Sequence, residues 1–243
     1  MVGDNTDHKQ KPFLAGKDVK RYQELSSDNY LIFTRRGIDI NRYPAIKEYL
    51  MQFKAQLQPK PKDYKGKTWK GRKPGSYKWY EMQDAVDYFE EFEKPKIIYP
   101  NILKRPEFTF DEQGWYTNQK CFIISLADKY LLAILNSKLN HYLFEQTLPK
   151  LRGGFYEPSY IFFKDFPIIK PDLKIKEEKI NHDALIKLAD SMLLLQKQKS
   201  GIQVPALLEQ LETQISYVDK SINELVYKLY DLTKEEIEII EAI

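Results

Sequence analysis

The 243-residue sequence holds a single cysteine, Cys121, so no intramolecular disulfide can form, and the cytoplasm is the expected compartment. Long apolar runs are missing too. None approaches the roughly 20 residues a membrane helix needs, so a membrane partner is not expected. The opening MVGDNTDHKQ is polar and acidic and lacks the basic-then-apolar order of a signal peptide. Histidine occurs three times, at His8, His141 and His182, with no cysteine or carboxylate cluster at metal spacing beside any of them. That argues against a structural zinc site. The one adjacent glycine pair, Gly153-Gly154, precedes an extended segment instead of a helix, which removes the phosphate-binding turn of dinucleotide and methyltransferase folds. Neither a G-x-S-x-G elbow, a P-loop nor an H-x-E zinc motif occurs. PDLKIKEEK offers Asp172, Glu177 and Lys179 as the outline of a nuclease motif, at a spacing so short that a lysine-rich stretch produces it by chance. No catalytic, metal or cofactor residue is expected in this fragment.

What is present is charge with rings. Hydrophobic residues make up 42% and charged residues 30%, which suits a soluble chain with a real core, and aromatics reach 14%. Residues 1–120 carry 23 cations against 17 acids, the remainder 15 against 18. Between Lys54 and Lys78 there are nine cations and one acid, Asp63. The stretch KPKDYKGKTWKGRKPGSYKWYEM, Lys60 to Met82, adds three glycines and several aromatics to those cations. Such a segment fits a polyanionic partner at one face, although a solvated lysine-rich loop has the same composition.

Along the chain, NYLIF, KIIYPNI, EFTF and CFIIS read as strands, the last two as an antiparallel pair turning at DEQG. RYPAIKEYLMQFKAQL reads as an amphipathic helix with Pro44 in its first turn and Ile46, Tyr49, Leu50, Phe53 and Leu57 on one face. DAVDYFEEF is a second short helical pattern, and DKYLLAILNSKLNHYLF is one helix capped by Asp128. KLRGGF is a loop, YIFFKDFPII an extended segment and PDLKIKEEKINH a charged linker. Beyond residue 180, HDALIKLADSMLLLQKQ forms a helix, SGIQVP breaks it, and Pro205 opens another. In that last helix Leu208, Leu211, Ile215, Val218, Ile222, Leu225 and Leu229 alternate three- and four-residue steps. The expected fold is α+β: a mixed sheet-and-helix domain over 1–175 and an antiparallel helical hairpin over 176–243. The seam could dock a partner or pack on the rest of the chain.

Four stretches in series resemble the C-terminal target-recognition (specificity) domain of TaqI-like and Eco57I-like N6-adenine DNA methyltransferases and type IIG restriction–modification enzymes. They are FLAGKDVKRY (Phe13–Tyr22); the basic loop ending in YKWYEM with KPKIIYPNI (Lys94–Ile102); YLLAILNSKL (Tyr130–Leu139) leading through LRGGFYEPSYIFFKDFPI; and INELVYKLYDLTKEEIEIIE (Ile222–Glu241). The resemblance implies a non-catalytic module that selects a duplex DNA sequence, mostly through the major groove. It implies a methyltransferase domain upstream in the parent chain that flips out an adenine. That domain, and a fused endonuclease, would bring S-adenosylmethionine and Mg2+; the setting would be a bacterial or archaeal cytoplasm. No Pro-Pro occurs in this sequence, so the catalytic tetrapeptide of such methyltransferases is absent from it. The helical tail is similar to the spacer helices of type I specificity subunits.

The candidate DNA-binding residues come from the residues themselves. Lys65, Lys67, Trp69, Lys70, Arg72, Lys73 and Lys78 on the basic loop come first; Lys17, Lys20, Arg21, Arg35, Arg36, Lys150 and Arg152 follow. Arg72 is the candidate for direct base readout, because arginine pairs with guanine edges. Trp69, between Lys67 and Lys70, is expected at the surface, with Trp79 and Tyr80 in the core. A single-strand or RNA-binding module, whose rings stack on bases, and a helical assembly adaptor remain as alternatives.

Overall fold

The computed structural model describes residues 10–243, so His8 lies outside the described residues. The fold is α+β, with two compact units. One comprises residues 10–13 with Asp28–Glu90, and the other Leu14–Ser27 with Glu91–Ile243.

β1 (Gln10–Leu14), all but its last residue in the first unit, pairs antiparallel with β2 (Tyr30–Ile32), in the register Lys11↔Leu31. Asp39 caps a 3-10 turn at Ile40–Arg42 by accepting from the Asn41 amide at 3.1 Å. Pro44 then opens α1 (Pro44–Met51), where its missing N–H costs nothing. The single helix expected here is two: the backbone tightens at Gln52 and Phe53, and α2 is only Lys54–Leu57. Of the apolar face only Ile46 is buried, while Tyr49 and Phe53 stay exposed, so little tertiary packing holds a longer helix together. DAVDYFEEF likewise yields no α-helix, only a 3-10 turn at Phe89–Glu93.

The second unit is built on β3 (Lys96–Pro100), which is buried along its whole length. On its two sides lie β4 (Thr109–Asp111) and β6 (Cys121–Ser125), both antiparallel to it, with the short β5 (Tyr116–Thr117) between them in sequence. The expected pairing of EFTF with CFIIS is therefore corrected: each pairs with KIIYP. An all-buried apolar strand such as KIIYP gains most from the central position.

DKYLLAILNSKLNHYLF is likewise two helices, α3 (Lys129–Leu135) and α4 (Lys138–Thr147). Asp128 caps the first as expected, accepting from the Leu131 amide at 2.9 Å. The break falls at buried Asn136, whose side chain accepts from the Phe108 amide (3.1 Å) and donates to the Phe108 carbonyl (2.9 Å). Ser137 then caps α4. KLRGGF closes as a hairpin, β7 (Lys150–Leu151) with β8 (Phe155–Tyr156), turning through Gly153 and Gly154 at φ +85° and +74°, which glycine adopts without strain. YIFFKDFPII is not extended at its start: α5 (Tyr160–Phe163) is one helical turn that sends Phe163 into the aromatic core against Phe108 and Phe144.

Two 25-residue helices follow, α6 (Lys176–Ser200) and α7 (Pro205–Leu229), packed along each other as a hairpin, then α8 (Lys234–Glu241). The residues read as a charged linker largely belong to α6, whose acidic first turn, Glu177 and Glu178, suits a helix N-terminus. Leu185, Ala189 and Met192 of α6 and Leu211, Ile222 and Val226 of α7 are buried, most of them in the same core as β3, α3 and α4. Most of the heptad seam is thus used for packing within the chain. Thr233 and Glu236 form a capping box that starts α8.

Candidate nucleic-acid interface

The basic stretch in the first unit has no strand or helix, yet its backbone is closely tied. Pro59 and Arg72 form a parallel bridge, with the Lys60 amide donating to the Arg72 carbonyl and the Arg72 amide to the Gln58 carbonyl, each at 3.0 Å. The Arg72 guanidinium does the rest. Nε donates to the Leu57 carbonyl (2.7 Å), Nη1 to the Glu81 carbonyl (2.8 Å), and Nη2 to the Trp79 (2.9 Å) and Lys78 (3.3 Å) carbonyls. It also lies 4.5 Å from the centre of the buried Tyr77 ring. Burial pulls its pKa below the ordinary arginine value. The fork of Arg72, the candidate for base readout, is thus spent on carbonyls from both ends of the loop. The proline- and glycine-rich backbone around it cannot form a ladder, so its carbonyls turn to the one planar multidentate donor nearby.

Other groups lock the same loop. Buried Glu81 accepts from the Gly37 amide (2.9 Å) and the Lys78 amide (2.7 Å). The Tyr77 hydroxyl donates to the Lys73 carbonyl (2.5 Å). At Gly71 a Cβ would stand 2.2 Å from the Gln58 carbonyl oxygen, so the two loop arms can meet only there at glycine. Trp69 is half-buried, not at the surface: its indole donates to the Gln58 carbonyl at 3.2 Å and its ring meets Tyr64 edge-on at 5.0 Å. Trp79 and Tyr80, expected in the core, are also half-buried and meet edge-on at 5.4 Å.

Lys65, Lys67, Lys70, Lys73 and Lys78 remain exposed on this frame. Lys73 pairs with exposed Asp84 at 3.3 Å, and a hydrogen bond to Tyr80 raises the pKa of Lys78, which keeps it charged. Arg36 donates to the Gln83 carbonyl at 2.6 Å, and Arg35 lies 3.9 Å over the Phe89 ring. Both are exposed residues partly engaged within their own unit.

In the second unit the remaining candidates separate. Arg21 is committed: Nε and Nη2 donate to the Asn136 carbonyl (3.2 and 2.8 Å), and Nη2 pairs with Asp219 of α7. It ties the N-terminal segment to the helix break and to α7. Lys17 and Lys20 are exposed on the rim of an open cleft of about 600 Å³. Lys150 and Arg152 sit, also exposed, on the β7–β8 hairpin, which gives Phe155 to the same cleft. Three further cations line it that sequence reasoning missed: Lys104, Arg105 and Lys120. They stand in no charge run. Lys104 and Arg105 follow the central strand and Lys120 precedes its neighbour, and the pairing of β3 with β6 brings them together. KR after a strand-ending proline was the only sequence signal.

The rest of the chemistry is quiet. Among the described residues no group of three or more His, Cys, Asp or Glu could hold a metal ion. The buried Cys121 thiol is pushed up to about 12, first by burial and then by Asp18, which holds it in the protonated form. Burial lowers the pKa of His141.

Residues 11–168 match the TaqI-like C-terminal specificity domain, well over half of the chain. The chain belongs to that family. The matched span of this TaqI-like specificity domain contains both the braced basic loop and the cationic cleft, and stops before α6. No curated protein matches the sequence. Among solved structures, the type IIL restriction–modification enzyme MmeI, determined in complex with DNA, is similar at TM-score 0.58 and 13% identity over 94% of this chain. The chain spans 29% of that enzyme's length, and the likeness is one of fold. Among the described residues, no helix is long and apolar enough to cross a membrane.

Proposed function

We propose that this specificity domain recognises a sequence in duplex DNA for a restriction–modification enzyme. The reading rests on one observation: five exposed lysines are held on a loop whose backbone is fixed by the Arg72 fork. Cations on a pre-ordered frame lose little entropy on meeting phosphates, and sequence reading needs a fixed register. In the fuller form of the proposal, an adenine-N6 methyltransferase domain lies upstream in the parent chain, with an endonuclease fused to it. Those parts bring S-adenosylmethionine and Mg2+, in a prokaryotic cytoplasm.

Duplex is favoured over single strands by the rings. Trp69 meets Tyr64 edge-on, Trp79 meets Tyr80 edge-on and Tyr77 is buried, so the loop's aromatics face one another instead of offering stacking platforms. Inward packing of the α7 seam counts against a pure assembly adaptor.

The proposal is tested by titrating duplex and single-stranded DNA of one sequence at several salt concentrations. Duplex should bind more tightly, with log affinity falling against log salt by about 0.9 per phosphate contact. Equal or tighter binding of the single strand would hand the case to the stacking module.

A further inference from the structure

The cationic cleft of the second unit carries an assignment of its own. We propose that it is a phosphate site for the sugar–phosphate backbone of duplex DNA, holding the module in register without reading bases. This rests on the duplex-binding reading above and gives a second, separate surface a task within it.

Five cations line the cleft, Lys17, Lys20, Lys104, Arg105 and Lys120, against one acid, Glu107. Glu107 is already engaged by Lys20 at 3.4 Å. Among the described residues, Lys17, Lys104, Arg105 and Lys120 have no carboxylate within ion-pair distance. Like charges gathered in a concavity repel one another, an entering anion relieves that repulsion, and the low-dielectric walls focus their field. Those walls include Pro100, Leu103 and Phe155, with the Lys104 ammonium 4.9 Å from the Phe155 ring centre.

The rim holding these cations is pinned backbone. The Asn101 amide donates to the Lys120 carbonyl at 2.9 Å. Leu103 and Tyr156 exchange two backbone hydrogen bonds, at 3.1 and 2.7 Å, which fix the β7–β8 hairpin beside the cleft. At Gly16 a Cβ would stand 2.7 Å from the Lys120 carbonyl oxygen, so glycine lets the opposite wall close to that distance.

The donor set selects the ligand. Four of the five cations are lysines, which act as point charges on flexible stems and suit phosphate; Arg105 alone carries the planar fork best matched to a guanine edge. The hairpin that gives Phe155 to the cleft carries exposed Lys150 and Arg152 outside the cleft lining, and five cations already line the cleft itself. A chain of phosphates fits this better than a single one.

The test compares the full 243-residue chain with a cleft variant, K104A/R105A/K120A, and a loop variant, K65A/K67A/K70A. All six side chains are exposed, and unchanged thermal midpoints check that both variants fold. Binding to a duplex pool of random sequence is measured across salt, together with the sequences each protein enriches from that pool. The cleft variant should bind the pool more weakly, with a salt slope shallower by roughly 2–3, and should enrich the same sequences as the wild type. Wild-type affinity and slope in the cleft variant, with the loop variant weakened, would overturn the cleft site and leave the duplex reading intact. A changed set of enriched sequences would overturn the backbone role and make the cleft a base reader. Saturable micromolar binding of inorganic pyrophosphate, lost in the cleft variant, would instead make it a small-anion site. Absence of salt-dependent duplex binding by the wild type would remove the functional reading and the cleft proposal together.

Discussion

Asp111→Ala is expected to destabilise the second unit by about 3–5 kcal/mol, the cost of breaking a buried ion pair from one side. Lys96 and Asp111 face each other across β3 and β4, both buried, with the Lys96 ammonium bonded to the Asp111 carboxylate and to the Phe92 carbonyl. Burial pulls the Lys96 pKa below the ordinary lysine value, and Asp111 works against that pull. Without the carboxylate, the ammonium keeps one carbonyl, and two more donors lose their acceptor: the Gln113 amide (2.8 Å) and the Trp115 amide (2.9 Å). Lys96→Met should cost less, because the Asp111 carboxylate it leaves behind still accepts both amides. The sign with pH follows. In the Asp111→Ala variant the folded state sheds the Lys96 proton while the unfolded state holds it up to about pH 10.4. The unfolded state then binds more protons, so the variant gains stability as pH rises, and its deficit should be smaller at pH 9 than at pH 7. Urea unfolding at the two pH values checks this. A deficit below about 1 kcal/mol, or one that widens with pH, would contradict it.

Arg72→Ala should weaken DNA binding across all sequences and lower the stability of the first unit by about 2–3 kcal/mol. It should not relax the preference at one base. The carbonyls of Leu57, Lys78, Trp79 and Glu81 lose a charged donor together, and hydrogen bonds to charged groups are worth about 1.5–3 kcal/mol each when counted singly and less in sum. Arg72→Lys is the sharper variant. It keeps the charge but cannot span both ends of the loop, so it should behave like alanine in thermal melts and in binding. Recovery by lysine would mean that Arg72 contributes charge alone. Relaxed selectivity at a single base, with an unchanged melting midpoint, would restore it as a base reader.

Elements with local signals were legible in the sequence. Pro44 and Pro205 open α1 and α7, Asp128 caps α3, and the SGIQVP break separates α6 from α7 as expected. What was not legible depends on distant contacts. The break after Leu135 is set by Asn136 bonding to Phe108, 28 residues earlier, which no helical periodicity discloses. YIFF turns into a helix to send Phe163 into an aromatic cluster of Tyr99 from β3, Phe108, and Phe144 from α4. The basic loop was visible from its charge, yet the role of Arg72 was not, because an arginine among lysines looks the same whether its fork meets a base or the chain's own carbonyls. The cleft was partly visible: Lys17 and Lys20 stood out, whereas Lys104, Arg105 and Lys120 gain their meaning from strand pairing alone.

Selection from a randomised duplex pool tests most directly whether the chain reads DNA sequence. The chain should enrich one family of duplexes, with affinity that falls steeply between 50 and 200 mM salt and a preference that persists across that range. A pool that stays random while salt-dependent binding is intact would leave only a general polyanion binder, and contradict the account.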